Sequence, residues 1–174
     1  MSRTKNKITY IKNDILEEGY YSIEHKSGLR IYVYPKEGYS SSYAIFGTKY
    51  GSVDTCFSKD GGESVCVPEG IAHFLEHKLF ESEDDGAFTK YAKTGAYSNA
   101  YTSFDRTCYL FSCTEGFETN LEILLDFVSH PYFTKETVQK EQGIIGQEIG
   151  MYEDNPESKV FDLLMGSMYR NHPI

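Results

Sequence analysis

The chain has no tryptophan, no C-x-x-C pair and no apolar run of membrane-spanning length, and it is short of positive charge. Without tryptophan, the aromatic content falls to 15 Tyr and 11 Phe, so it is carried mostly by rings with a polar tip. The missing apolar run excludes a membrane-spanning helix. The four cysteines, Cys56, Cys66, Cys108 and Cys113, lack the spacing of a zinc knuckle. Seventeen Lys and Arg against 26 Asp and Glu leave a formal charge of −9, which argues against nucleic acid and anionic membrane surfaces as partners. The N-terminus "MSRTKNKITYIKND" is polar and unlike a signal peptide. The expectation is therefore a cytoplasmic chain with free thiols, a Cys56–Cys66 bridge being the lesser alternative. A length of 174 residues suits one domain with a real core.

The first fifty residues read as β-structure. "YSIEH" and "LRIYVYP" flank "KSG" as a hairpin, and "SSYAIFGTKYGSV" forms a further strand. "SKDGGES", residues 58–64, is a polar glycine-rich loop. Pro68 suits a first helical position, so the pattern predicts a helix through Phe80. A short helix over 86–95 ends at Gly95. Residues 97–114 alternate and break at Asp105-Arg106, which predicts two antiparallel strands. An amphipathic helix stops near Pro131, and a long one over 134–155 takes Thr134 as its cap. Asn155-Pro156 opens another. Strands, helices, hairpin, helices is the order of an α+β fold, with helices packed on one face of a largely antiparallel sheet.

Two helices carry candidate chemistry. "IAHFLEHKLF", residues 71–80, places His73, Glu76 and His77 on one face, opposite Ile71, Leu75 and Leu79. One reading is a wet helix face. The other is a pair of imidazoles one turn apart that converge on a metal, with Glu76 as the base beside it. On the second helix Glu141 and Glu148 are seven residues apart and nearly eclipsed, about 20° off. They share a side with Val138, Ile144, Ile145 and Tyr152, opposite Gly143, Gly146 and Gly150. Either their heads reach out to water, or these carboxylates need a cation or hydrogen-bond donors.

"HFLEH" followed some seventy residues later by "KEQGIIGQE" resembles the pitrilysin-type, insulinase-like zinc peptidases, the inverzincins with H-x-x-E-H. The resemblance implies Zn2+ held by His73, His77 and Glu148, with Glu76 as catalytic base and Glu141 supporting the site. "SNAYTSFDRTCYLF" is similar to the family's open edge strand, which receives the substrate peptide as an added strand. This makes Asn99, Ala100 and Tyr101 the candidate substrate contacts. The implied activity is a zinc-dependent endopeptidase acting on peptides or small unfolded proteins through a metal-activated water.

Family members carry two homologous domains facing across a chamber, each longer than this chain. Residues 1–174 are therefore expected to be a single metallopeptidase-like domain, C-terminally truncated, from a longer two-domain protein. A second domain or subunit would complete the chamber, and the exposed sheet edge leaves a homodimer open. The alternatives are a non-catalytic peptide-binding subunit of the same family and an S-ribosylhomocysteine lyase-like enzyme. The lyase shares H-x-x-E-H but uses a cysteine ligand some seventy residues downstream, where this chain has Glu148. His25, His130 and His172 read as solvated, and "ESEDDGA", 81–87, as a solvated turn without the spaced ligands of a calcium site.

Overall fold

Among the described residues the hydrogen-bonded strand pairs are all antiparallel, and they fall into three small sheets. The computed structural model describes residues 6–59 and 61–172. Residues up to Ser40 form one compact unit and residues from Ser41 another. The α+β class predicted from the order of elements is the class observed.

In the first unit β1 (Lys7–Asn13), β2 (Glu18–Glu24) and β3 (Arg30–Val33) pair in that order. The β2–β3 hairpin is the one read from "YSIEH" and "LRIYV", and Gly28 supplies the positive φ of 90° its turn requires. β1 falls within the first fifty residues read as β-structure, though all seven of its residues are exposed and no buried face stamps an alternation on it.

The second unit holds the three-stranded sheet β4 (Ser42–Thr48), β8 (Thr107–Cys113) and β7 (Tyr97–Thr102), with β8 central and β7 at an edge. β8 is buried along nearly its whole length, Thr107, Cys108 and Tyr109 in succession, so it lacks the in–out alternation read from the sequence. α2 (Ala87–Thr94) and α3 (Phe117–Ser129) pack with this sheet. The core between them joins Phe80, Ala87, Tyr91, Tyr109, Phe111, Cys113, Leu124 and Phe127. Phe80 stacks on Phe127 at 4.9 Å and on Phe88 at 4.2 Å between centroids. Phe111 and Leu124 are fully enclosed, and each such side chain contributes about 1.5–3 kcal/mol.

Between β4 and the helices in sequence comes a small hairpin, β5 (Cys56–Ser58) and β6 (Ser64–Cys66), whose paired Ser58 and Ser64 are the two ends of the glycine-rich 58–64 segment. Its register sets Cys56 directly opposite Cys66, with Cα atoms 4.1 Å apart, and the two are disulfide-bonded. The expectation of free thiols fails for this pair. It rested on compartment, whereas local strand pairing decides whether two sulfurs meet. Cys108 and Cys113 are free and buried.

α1 (Ile71–Leu79) starts later than predicted. Gly70, at φ 82°, is its N-cap, so Pro68 and Glu69 precede the helix. α4 (Lys135–Glu153) begins as read: the Thr134 hydroxyl accepts from the Thr137 N–H, and the Thr137 hydroxyl accepts from the Thr134 N–H. Such a cap is worth about 1 kcal/mol and fixes where Glu141 and Glu148 fall along the helix. Asn155 caps α5 (Pro156–Met168), with Pro156 at its first turn. Among the described residues no helix is long and apolar enough to cross a membrane.

Candidate metal centre

α1 packs against both α4 and β7, so the site is assembled from three elements of the second unit. The polar face of α1 is not a wet face: His73, Glu76 and His77 are all half-buried. His73 Nε2 lies 3.2 Å from His77 Nε2, as the one-turn spacing predicts. Their rings meet edge to face, 4.6 Å between centroids.

α4 brings two carboxylates to this pair from more than sixty residues away. Glu148 Oε1 is 3.7 Å from His73 Nε2, and Oε2 is 3.6 Å from His77 Nε2. Glu141, 6% exposed, places Oε1 2.7 Å from His77 Nδ1. The carboxylate accepts a proton held at Nδ1, which turns the Nε2 lone pair toward His73. Glu76 Oε2 stands 3.9 Å from His73 Nε2 and accepts a hydrogen bond from the Thr102 hydroxyl at 3.2 Å. Burial pushes the Glu76 carboxyl above the ordinary range. His73, His77 and the Thr102 bond pull it down, and Glu148 adds to the rise.

The donor set suits a divalent ion. Two imidazole nitrogens with no carbon between them and a carboxylate are ligands that zinc accepts. Bonds of ~2.0–2.1 Å to a tetrahedral ion separate neighbouring donor atoms by roughly 3.3–3.4 Å. The 3.2 Å between imidazoles and the 3.6–3.7 Å to Glu148 lie close to that edge. His73, Glu76 and His77 also present donor atoms mutually close enough to hold a metal, and no cysteine joins them among the described residues.

Asn99, Ala100 and Tyr101 lie on β7, whose outer side has no neighbouring strand among the described residues. The Ala100 N–H is bonded to Asn99 Oδ1 at 2.9 Å, and Asn99 Nδ2 donates to the Tyr97 hydroxyl at 3.1 Å. Asn99 and Ala100 line a cleft of about 640 Å³ with Glu76, His77, Phe80, Phe88 and Glu141. Tyr101 does not line it; its side chain is exposed.

Two residues on the elements that build the site escaped the sequence reading. Thr102 shares a strand face with Ala100, so alternation from Ala100 would have pointed to it. Lys78, next to His77, is fully enclosed, paired with Glu81 and 5.9 Å from the centre of the Phe133 ring. Nothing in the pattern around it distinguishes it from a surface lysine. Glu81 is accordingly part of an ion pair rather than of a purely solvated turn. Asp85 in the same segment pairs with Lys93.

The chain is similar to known proteins. Residues 68–174 match the family model described as Insulinase (Peptidase family M16). A Bacillus subtilis (strain 168) protein named "Uncharacterized zinc protease YmfH" is 53% identical over 165 residues, spanning 94% of this chain and 39% of that protein. A second protein of that strain, "Uncharacterized zinc protease YmxG", is 36% identical over 110 residues, covering 60% of this chain and 27% of its own length. A crystal structure of a putative M16-like peptidase from Alicyclobacillus acidocaldarius superposes with a TM-score of 0.81 at 38% identity, covering 99% of this chain and 38% of that one. The chain thus spans about two-fifths of the relatives it matches over nearly its whole length. With the H-x-x-E-H helix folded against the carboxylates of α4, and relatives named as zinc proteases, the chain belongs to the insulinase family, peptidase family M16.

Proposed function

We propose that this chain is the metal-bearing part of a zinc-dependent, cytoplasmic endopeptidase that hydrolyses peptides or small unfolded proteins. The observation that carries the reading is the convergence of His73, His77 and Glu148, from two separate helices, to within 3.2–3.7 Å. In this reading these three hold the zinc and Glu76 is the general base. Glu148 is favoured over Glu76 as the third ligand because it offers one oxygen to each imidazole, whereas Glu76 is engaged by Thr102. Glu141 holds His77 in the binding tautomer.

When bound, zinc supplies Lewis acidity, lowering the pKa of water and polarising a carbonyl. The chain's own residues do the rest. Glu76, half-buried beside the histidines, accepts the proton of the attacking water and passes it to the leaving amine. The substrate lies along β7, where backbone pairing would take it with little regard to sequence. Asn99 must turn away from the Ala100 N–H for a peptide carbonyl to reach it.

Two further elements belong to the proposal. A second homologous domain or subunit completes the chamber, which the two-fifths coverage of the relatives supports. α5 is consistent with such a neighbour, since Val160, Leu163, Leu164 and Met168 are all exposed. Residues 1–174 would then be part of the first of two such domains. The Cys56–Cys66 bond is the one feature that runs against a reducing compartment.

The test is elemental analysis joined to peptide hydrolysis by the full-length gene product. Glu76→Gln should keep the metal and lose turnover, and Glu148→Gln should lose metal. Wild-type turnover in Glu76→Gln would end the base assignment, and full metal content in Glu148→Gln would end the ligand assignment.

A further inference from the structure

We propose that Thr102 is a positioning residue for Glu76, holding the base's carboxylate in one orientation from a hairpin end anchored to the segment around Gly51. The inference rests on the reading of Glu76 as general base.

A glutamate has three side-chain torsions, and its last is broad, so helix placement alone does not aim its carboxylate. Among the described residues the Thr102 hydroxyl is the one hydrogen-bond donor to Glu76; the His73 ring it faces stands 3.9 Å away, beyond hydrogen-bond distance. It engages Oε2 and leaves the other oxygen for the reacting proton. Threonine suits the task because its branched Cβ restricts χ1 and so fixes where the hydroxyl points.

The support beneath Thr102 is tied by hydrogen bonds on both sides. Thr102 pairs with Thr107 across β8. Thr107 is buried, and its hydroxyl donates to the Tyr50 carbonyl at 2.8 Å. The hairpin end beyond Thr102 is closed by the Ser103 N–H bonding to the Arg106 carbonyl at 2.8 Å. It is tied to the 51–53 segment by Ser52 N–H to the Ser103 carbonyl, 3.0 Å, and Val53 N–H to the Phe104 carbonyl, 3.1 Å. The contact is so close that a Cβ at Gly51 would lie 2.4 Å from the Phe104 carbonyl oxygen and 2.5 Å from the Arg106 nitrogen. These bonds set the height of β7 against α1, and with it the reach of the Thr102 hydroxyl to Glu76.

The experiment compares Thr102→Val, which keeps the shape without the hydroxyl, with Thr102→Ser, which keeps the hydroxyl, both in the full-length gene product. Thr102→Val should lower kcat about 10–100-fold, the range for losing a partner that orients an active group. KM and zinc content should be unchanged, and Thr102→Ser should recover most of the loss. Crystals of metal-free Thr102→Val should show the Glu76 carboxylate turned from its wild-type orientation. Wild-type kcat in Thr102→Val, a Thr102→Ser as slow as the valine variant, or an unmoved Glu76 carboxylate would each overturn the proposal. If the wild-type protein hydrolyses no peptide, the endopeptidase reading fails, and the crystallographic comparison alone decides the role of Thr102.

Discussion

Glu141 Oε1 and His77 Nδ1 meet at 2.7 Å across the interface of α4 and α1, with the carboxylate buried and the imidazole half-buried. The bond joins residues 64 apart in sequence and uses the nitrogen of His77 that does not face His73. It leaves Nε2 of both histidines directed at one another with Glu148 close by, two ring nitrogens and a carboxylate around a common point.

A consequence is that removing Glu141 should loosen the metal without removing a ligand. Glu141→Gln should weaken zinc affinity about 10–100-fold, because His77 loses the acceptor that fixes its tautomer and ring orientation. Competition with a chromophoric chelator measures this directly. Unchanged affinity would mean that the His77–Glu141 bond has no part in presenting the ring.

Zinc should also stabilise the fold, since its donors come from elements that unfolding separates. At a free zinc concentration of 100 times Kd the gain is about 2.7 kcal/mol. For a chain of this size that raises Tm by about 5–10 °C. The shift should vanish in a His73→Ala, His77→Ala double variant. A scanning calorimeter with and without chelator reads it, and an equal shift in the double variant would place the binding elsewhere.

How much of this was legible beforehand follows from where each signal lives. The imidazole pair is a spacing within one helix, and one turn of helix geometry suffices to bring 73 and 77 together. Thr134, Asn155 and Gly95 mark their helix ends as read, because caps are chemistry local to three or four residues. The contact of Glu148 with the pair is tertiary, so the helical face could say only that a carboxylate on an apolar side needed a partner. Lys78 shows the limit most plainly. A lysine is ordinarily solvated, and only the packing of Phe133 and Glu81 around α1 makes this one interior. The Cys56–Cys66 bond follows from a hairpin register of two three-residue strands, too short for an alternation pattern to show in the sequence.

The ion pair of enclosed Lys78 and partly exposed Glu81 should respond unequally to its two possible losses. Removing only the Glu81 carboxylate leaves an enclosed ammonium without its partner, which typically costs about 3–5 kcal/mol. Exchanging both partners for apolar residues, Lys78→Met with Glu81→Leu, removes the charge and its desolvation together and should cost far less, or stabilise. Denaturant unfolding of the Glu81→Leu and double variants checks the order. A double variant weaker than Glu81→Leu would show that the pair contributes net stability.

The Cys56–Cys66 bond closes a loop of ten residues' separation, for which chain entropy gives about 2–3 kcal/mol of stabilisation. Reduction, or Cys56→Ser with Cys66→Ser, should lower the unfolding free energy by about that amount. Mass spectrometry after thiol labelling of the unfolded protein should find two reactive sulfurs, Cys108 and Cys113, without reductant and four with it. Four labels without reductant would mean that the pairing does not form in the protein as purified.

Alkaline pH should destabilise the core through its tyrosines. Tyr109 and Tyr91 are almost wholly enclosed, and burial pushes both phenols up, with Glu76 adding to the rise at Tyr109 and Cys113 at Tyr91. The unfolded chain deprotonates near its ordinary value of about 10 while the folded chain keeps the protons. Above that pH the unfolded state binds fewer protons, so unfolding free energy falls as pH rises, by up to about 1.4 kcal/mol per pH unit for each group. Below about pH 10 this stability is present in full. Tyr109→Phe deletes one titrating group without emptying its place in the aromatic cluster with Phe80 and Phe127, so it should flatten the fall between pH 10 and 11. Urea midpoints measured across pH 8–11 decide the matter. Parallel curves for wild type and Tyr109→Phe would show that the buried phenol does not set the alkaline limit of this fold.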